Sequence, residues 1–159
     1  MNKFKFNDNP DNFETKIVND LIIGDIVMIK NNICKITDKI YSHQDFSPNS
    51  KFGQPNILIK CVGVFDDNER FDIFPYKYNI QLPKINIKTI LFVSISNKII
   101  QLYDENLNII IHIQINYILD DVIIKKILNF DTDTNTDTNI EIKVKIIEFG
   151  NLIRIIDIE

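Results

Sequence analysis

Between Asp20 and Pro83 the chain repeats one device, a short run of Ile and Val closed by residues that favour tight turns. Runs near Asp25–Lys30, Ile33–Ile40, Ile57–Phe65 and Arg70–Phe74 are apolar and β-prone, with no helical period. Asn31-Asn32 tolerates the positive φ of a hairpin turn, and Asp66-Asp67-Asn68 has turn chemistry. The chain contains no alanine, so the strongest helix former is missing and the balance shifts further toward strands. Short strands at hairpin spacing predict a small closed barrel of SH3-like type over residues 20–83.

One segment interrupts this rhythm. Ser42 to Asn56, SHQDFSPNSKFGQPN, reads as a long polar loop between two strands, with Lys51 near its middle and Gly53 two residues on. Pro48 and Pro55 cannot donate ladder hydrogen bonds and push their neighbours toward extended forms, so neither flanking strand extends easily across it. The arrangement predicts a firm base under a projecting tip.

Pro75 and Pro83 bracket a poorly periodic segment, and a domain boundary is expected at 83–86. Beyond it come runs at Thr89–Ser94, Lys98–Tyr103 and Asn108–Ile115, separated by Ser96-Asn97 and Asp104-Glu105-Asn106. Leu119–Phe130 has helical character: Val122, Ile123, Ile127 and Phe130 share a face, with Asp120 and Asp121 early and Lys125 and Lys126 late, as the helix dipole favours. Ile140–Phe149 and Asn151–Ile158, joined at Gly150, complete the count. Three strands, a helix and two strands is the order of an OB-fold, predicted over 84–159. The fold class is therefore all-β.

The formal net charge of −4 provides no global field toward nucleic acid. Residues 30–60 differ: five lysines there face two acids, Asp38 and Asp45, so contact with RNA is expected to be local to this end. Residues 1–19 are mixed polar and aromatic, without the apolar core of a signal peptide, and are expected to form a disordered or extended tail. No apolar run is long enough to span a bilayer. Cys34 and Cys61 lie inside strand runs without metal-site spacing, consistent with small core residues in a reducing compartment. These features predict a soluble cytoplasmic protein.

Three stretches carry a resemblance: Met28–Asp38 (MIKNNICKITD), the tip Ser50-Lys51-Phe52-Gly53, and Phe71–Pro83 (FDIFPYKYNIQLP). In this order they resemble VIKSRPCKIVD, TGKHGHAK and EDICPSTHNMDVP of the eukaryotic and archaeal translation initiation factor 5A family, the relatives of bacterial elongation factor P. From Lys51 to Pro83 the two run without a gap, placing Asp72, Ile73, Pro75, Asn79 and Pro83 on family identities. At the tip only the lysine and one glycine match, and the loop is about five residues longer than the family's, in a region where length varies freely.

The resemblance implies an SH3-like barrel followed by an OB-fold, and a translation factor that binds the ribosome beside peptidyl-tRNA. It places Lys51 where the family's lysine becomes hypusine, by transfer of an aminobutyl group from spermidine and then hydroxylation, so deoxyhypusine synthase and a hydroxylase would be partners. A longer arm with a second amine suits phosphate and ribose oxygens in a narrow cleft. Ser50, Lys51, Phe52 and Gly53 are the expected RNA-binding residues: Lys51 for polar contacts, Gly53 for the turn, Phe52 for stacking where the family has histidine. Rate enhancement would come from positioning the tRNA for peptide bond formation, with no general acid or base from the protein. Two alternatives keep the fold: an RNA- or ribosome-binding paralogue that uses unmodified Lys51 and Phe52, and a decoy that engages the modifying enzyme.

Other features point away from catalysis. Asp131–Thr138, DTDTNTDT, lacks the glycine and terminal glutamate of a calcium loop and reads as a flexible insertion. His43 and His112 are isolated, with His43 at most an RNA contact. No nucleophile motif, phosphate loop or zinc spacing is present, so no enzyme, resident cofactor or metal is expected.

Overall fold

The computed structural model describes residues 9–42, 55–115, 120–132 and 141–159. Two compact units divide at Lys84 and Ile85. The described residues are mainly strands with one α-helix, as an SH3-like unit followed by an OB-fold unit.

In the first unit a four-stranded antiparallel sheet runs in order β2 (Ile26–Ile29), β3 (Asn32–Tyr41), β4 (Asn56–Gly63), β5 (Glu69–Pro75). The β2–β3 turn sits one residue earlier than expected: Lys30 and Asn31 take the two positive φ angles, 49° and 60°. Asn32 opens β3, with its side-chain amide donating 2.7 Å to the Lys30 carbonyl. Val27, Ile29, Cys34, Ile36, Ile57, Ile59 and Cys61 point inward and form the core with Val18, Leu21 and Ile80. The β3–β4 register shifts between Ile36 and Asp38, a bulge that accommodates Thr37.

A second, two-stranded sheet pairs β1 (Phe13–Ile17) with β6 (Asn79–Pro83). This corrects the expectation of a tail through residue 19. Residues 10–12 and 18–20 form 3-10 turns on either side of β1, and Val18 is fully buried. The segment is held by a partner more than 60 residues away, which no local pattern announces.

The second unit is one five-stranded antiparallel sheet. Its order is β11 (Leu152–Ile158), β10 (Lys143–Phe149), β7 (Asn86–Ser96), β8 (Ile99–Asp104), β9 (Ile109–Gln114). α1 (Asp121–Thr132) lies between β9 and β10 in sequence, as an OB-fold requires. Asp120 caps it, its Oδ1 accepting from Val122 N–H at 2.8 Å. The inward face is Ile123 and Ile127, buried with Ile100, Leu102, Ile146 and Ile155, whereas Val122 is 61% exposed. Because the helix runs to Thr132, Lys125 and Lys126 fall in its middle and its last turn has no basic residue. The proposed insertion lies largely at residues outside the described set.

Candidate functional site

The Ile-rich runs on either side of the polar segment form the two longest-paired strands of the first unit, β3 and β4. Their pairing ends at Tyr41 opposite Ile57, and one further rung closes the mouth. Ser42 N–H donates to the Asn56 carbonyl at 2.9 Å. The Ser42 hydroxyl donates to that same carbonyl at 3.0 Å and accepts from Asn56 N–H at 3.2 Å. Both legs of the segment thus leave from a side chain that is locked in both directions. Ser50, Lys51, Phe52 and Gly53, and with them His43, lie outside the described residues.

On the outgoing leg, the carbonyl of Pro55 accepts from Tyr76 N–H at 3.2 Å. On the incoming leg, Lys39 Nζ donates to the carbonyls of Asn19 and Leu21, the latter at 2.9 Å, and lies 5.2 Å from the Tyr41 ring centroid. The lysine excess read over residues 30–60 is thereby partly engaged. Lys60 Nζ is 3.8 Å from Asp38 Oδ2. Lys30 Nζ donates to the Phe71 carbonyl at 3.0 Å and lies over its ring. Lys35 is exposed.

Beneath the sheet, Cys34 and Cys61 are free thiols, each almost fully buried. Burial pushes the Cys61 thiol up to about 12, with neighbouring Cys34 adding to the shift. Cys34 is raised for the same first reason. Neither is a nucleophile in this state. His112 is exposed on β9, its Nε2 3.4 Å from the Gln101 amide nitrogen. No group of three or more His, Cys, Asp or Glu able to hold a metal occurs among the described residues. Nor is any described helix long and apolar enough to cross a membrane.

No protein-family model matches the chain. It is 30% identical over 87 residues to translation initiation factor 5A of Picrophilus torridus and, over the same length, to that of Thermoplasma acidophilum. These matches take in 55% of this chain and 64% of each relative. A translation initiation factor 5A family protein from Naegleria fowleri superposes with a TM-score of 0.72 at 18% identity, covering 93% of this chain and 99% of the other. Eukaryotic translation initiation factor 5A from Methanococcus jannaschii gives 0.68 at 17%, covering 93% and 96%.

Over the 87 matched residues the chain is similar to translation initiation factor 5A, spanning less than two thirds of those relatives' length, and its fold is that of the solved structures.

The described geometry has a clear division of labour. The hairpin stem is built from core-forming isoleucines and is paired up to the Ser42–Asn56 rung. Asn19 and Tyr76, which touch its two legs, carry no sequence signal of their own; their placement depends on the β1–β6 pairing that the sequence pattern does not reveal.

Proposed function

We propose that this protein is a translation factor that binds the ribosome and presents the 43–54 segment, with Lys51 at its working end, beside peptidyl-tRNA to promote peptide bond formation. The observation that supports it most is the hairpin mouth. Ser42 and Asn56 close a well-packed stem at the two ends of the segment that resembles the family's modified loop. In this reading the segment beyond that stem enters a cleft too narrow for a domain.

In this reading Lys51 carries the spermidine-derived aminobutyl arm, installed by deoxyhypusine synthase and completed by a hydroxylase. The arm would reach phosphate and ribose oxygens, Phe52 would stack on a base or sugar, and Gly53 would permit the turn. The protein would act by holding the tRNA in reactive geometry, with no acid–base chemistry of its own. The single-sign charge needed for contact is local, since the whole chain is acidic.

The test is the mass of Lys51-containing peptides from the native source, combined with ribosome co-sedimentation of the Lys51→Ala protein. A hypusine-sized increment, and sedimentation of the unaltered protein weakened by the substitution, are expected. An unaltered lysine removes the modification from the account. Failure of both proteins to sediment removes the ribosome.

A further inference from the structure

The contacts at the hairpin mouth close into a ring. Starting from Tyr41 on the incoming leg, its hydroxyl lies 3.3 Å from Asn19 Oδ1, to which it donates. Asn19 N–H donates 3.0 Å to the carbonyl of Tyr76. Tyr76 N–H in turn donates to Pro55 on the outgoing leg, and Asn56 is joined to Ser42 by the doubled rung. Ser42 follows Tyr41, and the circuit is complete. Four segments far apart in sequence, around residues 19, 41, 55 and 76, meet in a collar around the point where the loop departs.

Most links in this ring are backbone groups that would form only if the segments were already adjacent. Lys39 supplies what brings them together. Its ammonium bonds two carbonyls of the 3-10 turn Val18–Asp20 and its flank, Asn19 and Leu21, and its position over the Tyr41 ring holds that ring toward Asn19. Two charge-assisted hydrogen bonds and a cation–π contact converge on one side chain. Asp25, whose carboxylate accepts from Lys16 at 3.0 Å and from Ile22 N–H at 3.0 Å, fixes the other end of the same segment.

We propose that Lys39 is a positioning residue for the loop: by pinning residues 19–21 against the end of β3 it closes the collar and sets the direction in which both legs leave the barrel. The proposal rests on the reading that the loop is the working end. A cation here has no need to touch RNA. Its role is to make the scaffold's rim a single rigid ring, so that an arm carried on a long loop reaches the same place each time.

Hydrogen exchange of the full-length protein tests the collar without a ribosome. In Lys39→Met, amide exchange of Asn19, Ser42, Asn56 and Tyr76 should accelerate on the order of tenfold, the loss expected for charge-assisted bonds. Ile59 and Cys61, in the core of β4, should be unchanged, and Lys39→Arg, which keeps two donors, should restore slow exchange. Tyr41→Phe should give a smaller effect confined to Asn19 and Ser42. No acceleration at the four amides, or equal acceleration at Ile59 and Cys61, overturns the collar.

The functional half is read on the ribosome with Lys51→Ala in parallel. Lys39→Met should lose activity and Lys39→Arg should keep it, at unchanged thermal midpoint. Full activity of Lys39→Met where Lys51→Ala is inactive overturns the positioning role. If Lys51→Ala is itself fully active, the loop reading fails, and the exchange data decide the collar alone.

Discussion

Lys88 Nζ lies 2.7 Å from Oδ2 of Asp104, a carboxylate that is 1% exposed. The same ammonium is 3.1 Å from Glu148, whose other oxygen accepts from Asn86. Asp104 also accepts from the amides of Asn106 and Leu107, so its second oxygen orders the β8–β9 turn. One lysine on β7 therefore ties β8 to β10. A buried pair with its remaining valences filled is tolerable, but removing one partner leaves an uncompensated charge.

Lys88→Met should accordingly lower the thermal midpoint of the second unit by on the order of 10 °C, seen as early loss of the Ile100 and Leu102 amide signals. The pH dependence has two limbs. The Lys88 ammonium holds the Asp104 carboxyl below its ordinary 3.8. Its contribution is therefore complete above 3.8 and lost as pH falls through the lowered folded value. Burial opposes the charge on Lys88, but its two carboxylates raise it above 10.5. That contribution is complete below 10.5 and lost as pH rises past the raised value. Lys88→Met should remove both limbs, and an unchanged acid limb would contradict the assignment.

A second acid-sensitive pair lies in the first unit. Hydrogen bonding to the Arg70 guanidinium holds Asp66 at about 2. The stabilisation is present above the ordinary 3.8 and disappears as pH falls from there toward 2. Asp66→Asn should flatten unfolding midpoints across that window while leaving those above pH 5 with the same slope as the parent.

Gly63 faces this pair. A Cβ at that position would overlap the Asp66 carboxylate and crowd Arg70. Gly63→Ala should cost about 1–3 kcal/mol in denaturant unfolding, and the cost should shrink in an Asp66→Ser background. Equal costs in the two backgrounds would mean that the clash lies elsewhere.

The helix provides a paired test. Ile127→Ala, at a site 1% exposed, should cost about 2–5 kcal/mol. Val122→Ala, on the solvent side, should stay within about 0.5 kcal/mol. Equal effects would restore the inward role that sequence periodicity suggests for Val122.

The thiols should be silent. With Cys61 pushed up to about 12 and Cys34 raised by burial, a neutral maleimide at pH 7.5 should label neither in the folded protein and both after unfolding.

What the sequence reveals follows the range of the interactions. Hairpins closed by Lys30-Asn31, Asn97-Lys98 and Gly150 are legible because both strands and their turn are contiguous, and errors there amount to a residue or two. β1 and β6 are illegible: Phe13–Ile17 has no clean alternation, and its partner Asn79–Pro83 is placed by tertiary pairing alone. The loop stands out as a polar interruption with a lysine at its centre. The collar that borders it does not, because Asn19, Lys39, Pro55 and Tyr76 become neighbours only after both sheets have formed. Val122 misleads because a helix of this period presents more apolar residues than the sheet beneath it can cover.

Thr37 is the surplus residue in β3, and it resets the parity of everything after it. Ahead of it even-numbered positions such as Cys34 and Ile36 look into the barrel; past it Lys39 and Tyr41 sit across from the buried Ile59 and Ile57, and Asp38 and Ile40 look away. Without that bulge the same residues in a regular ladder would set Asp38 across from Ile59 and Ile40 across from Ile57, offering an acid and an isoleucine to the carbonyls of residues 19 and 21, which need a donor. A single irregularity in the ladder thus decides which chemistry the rim can have.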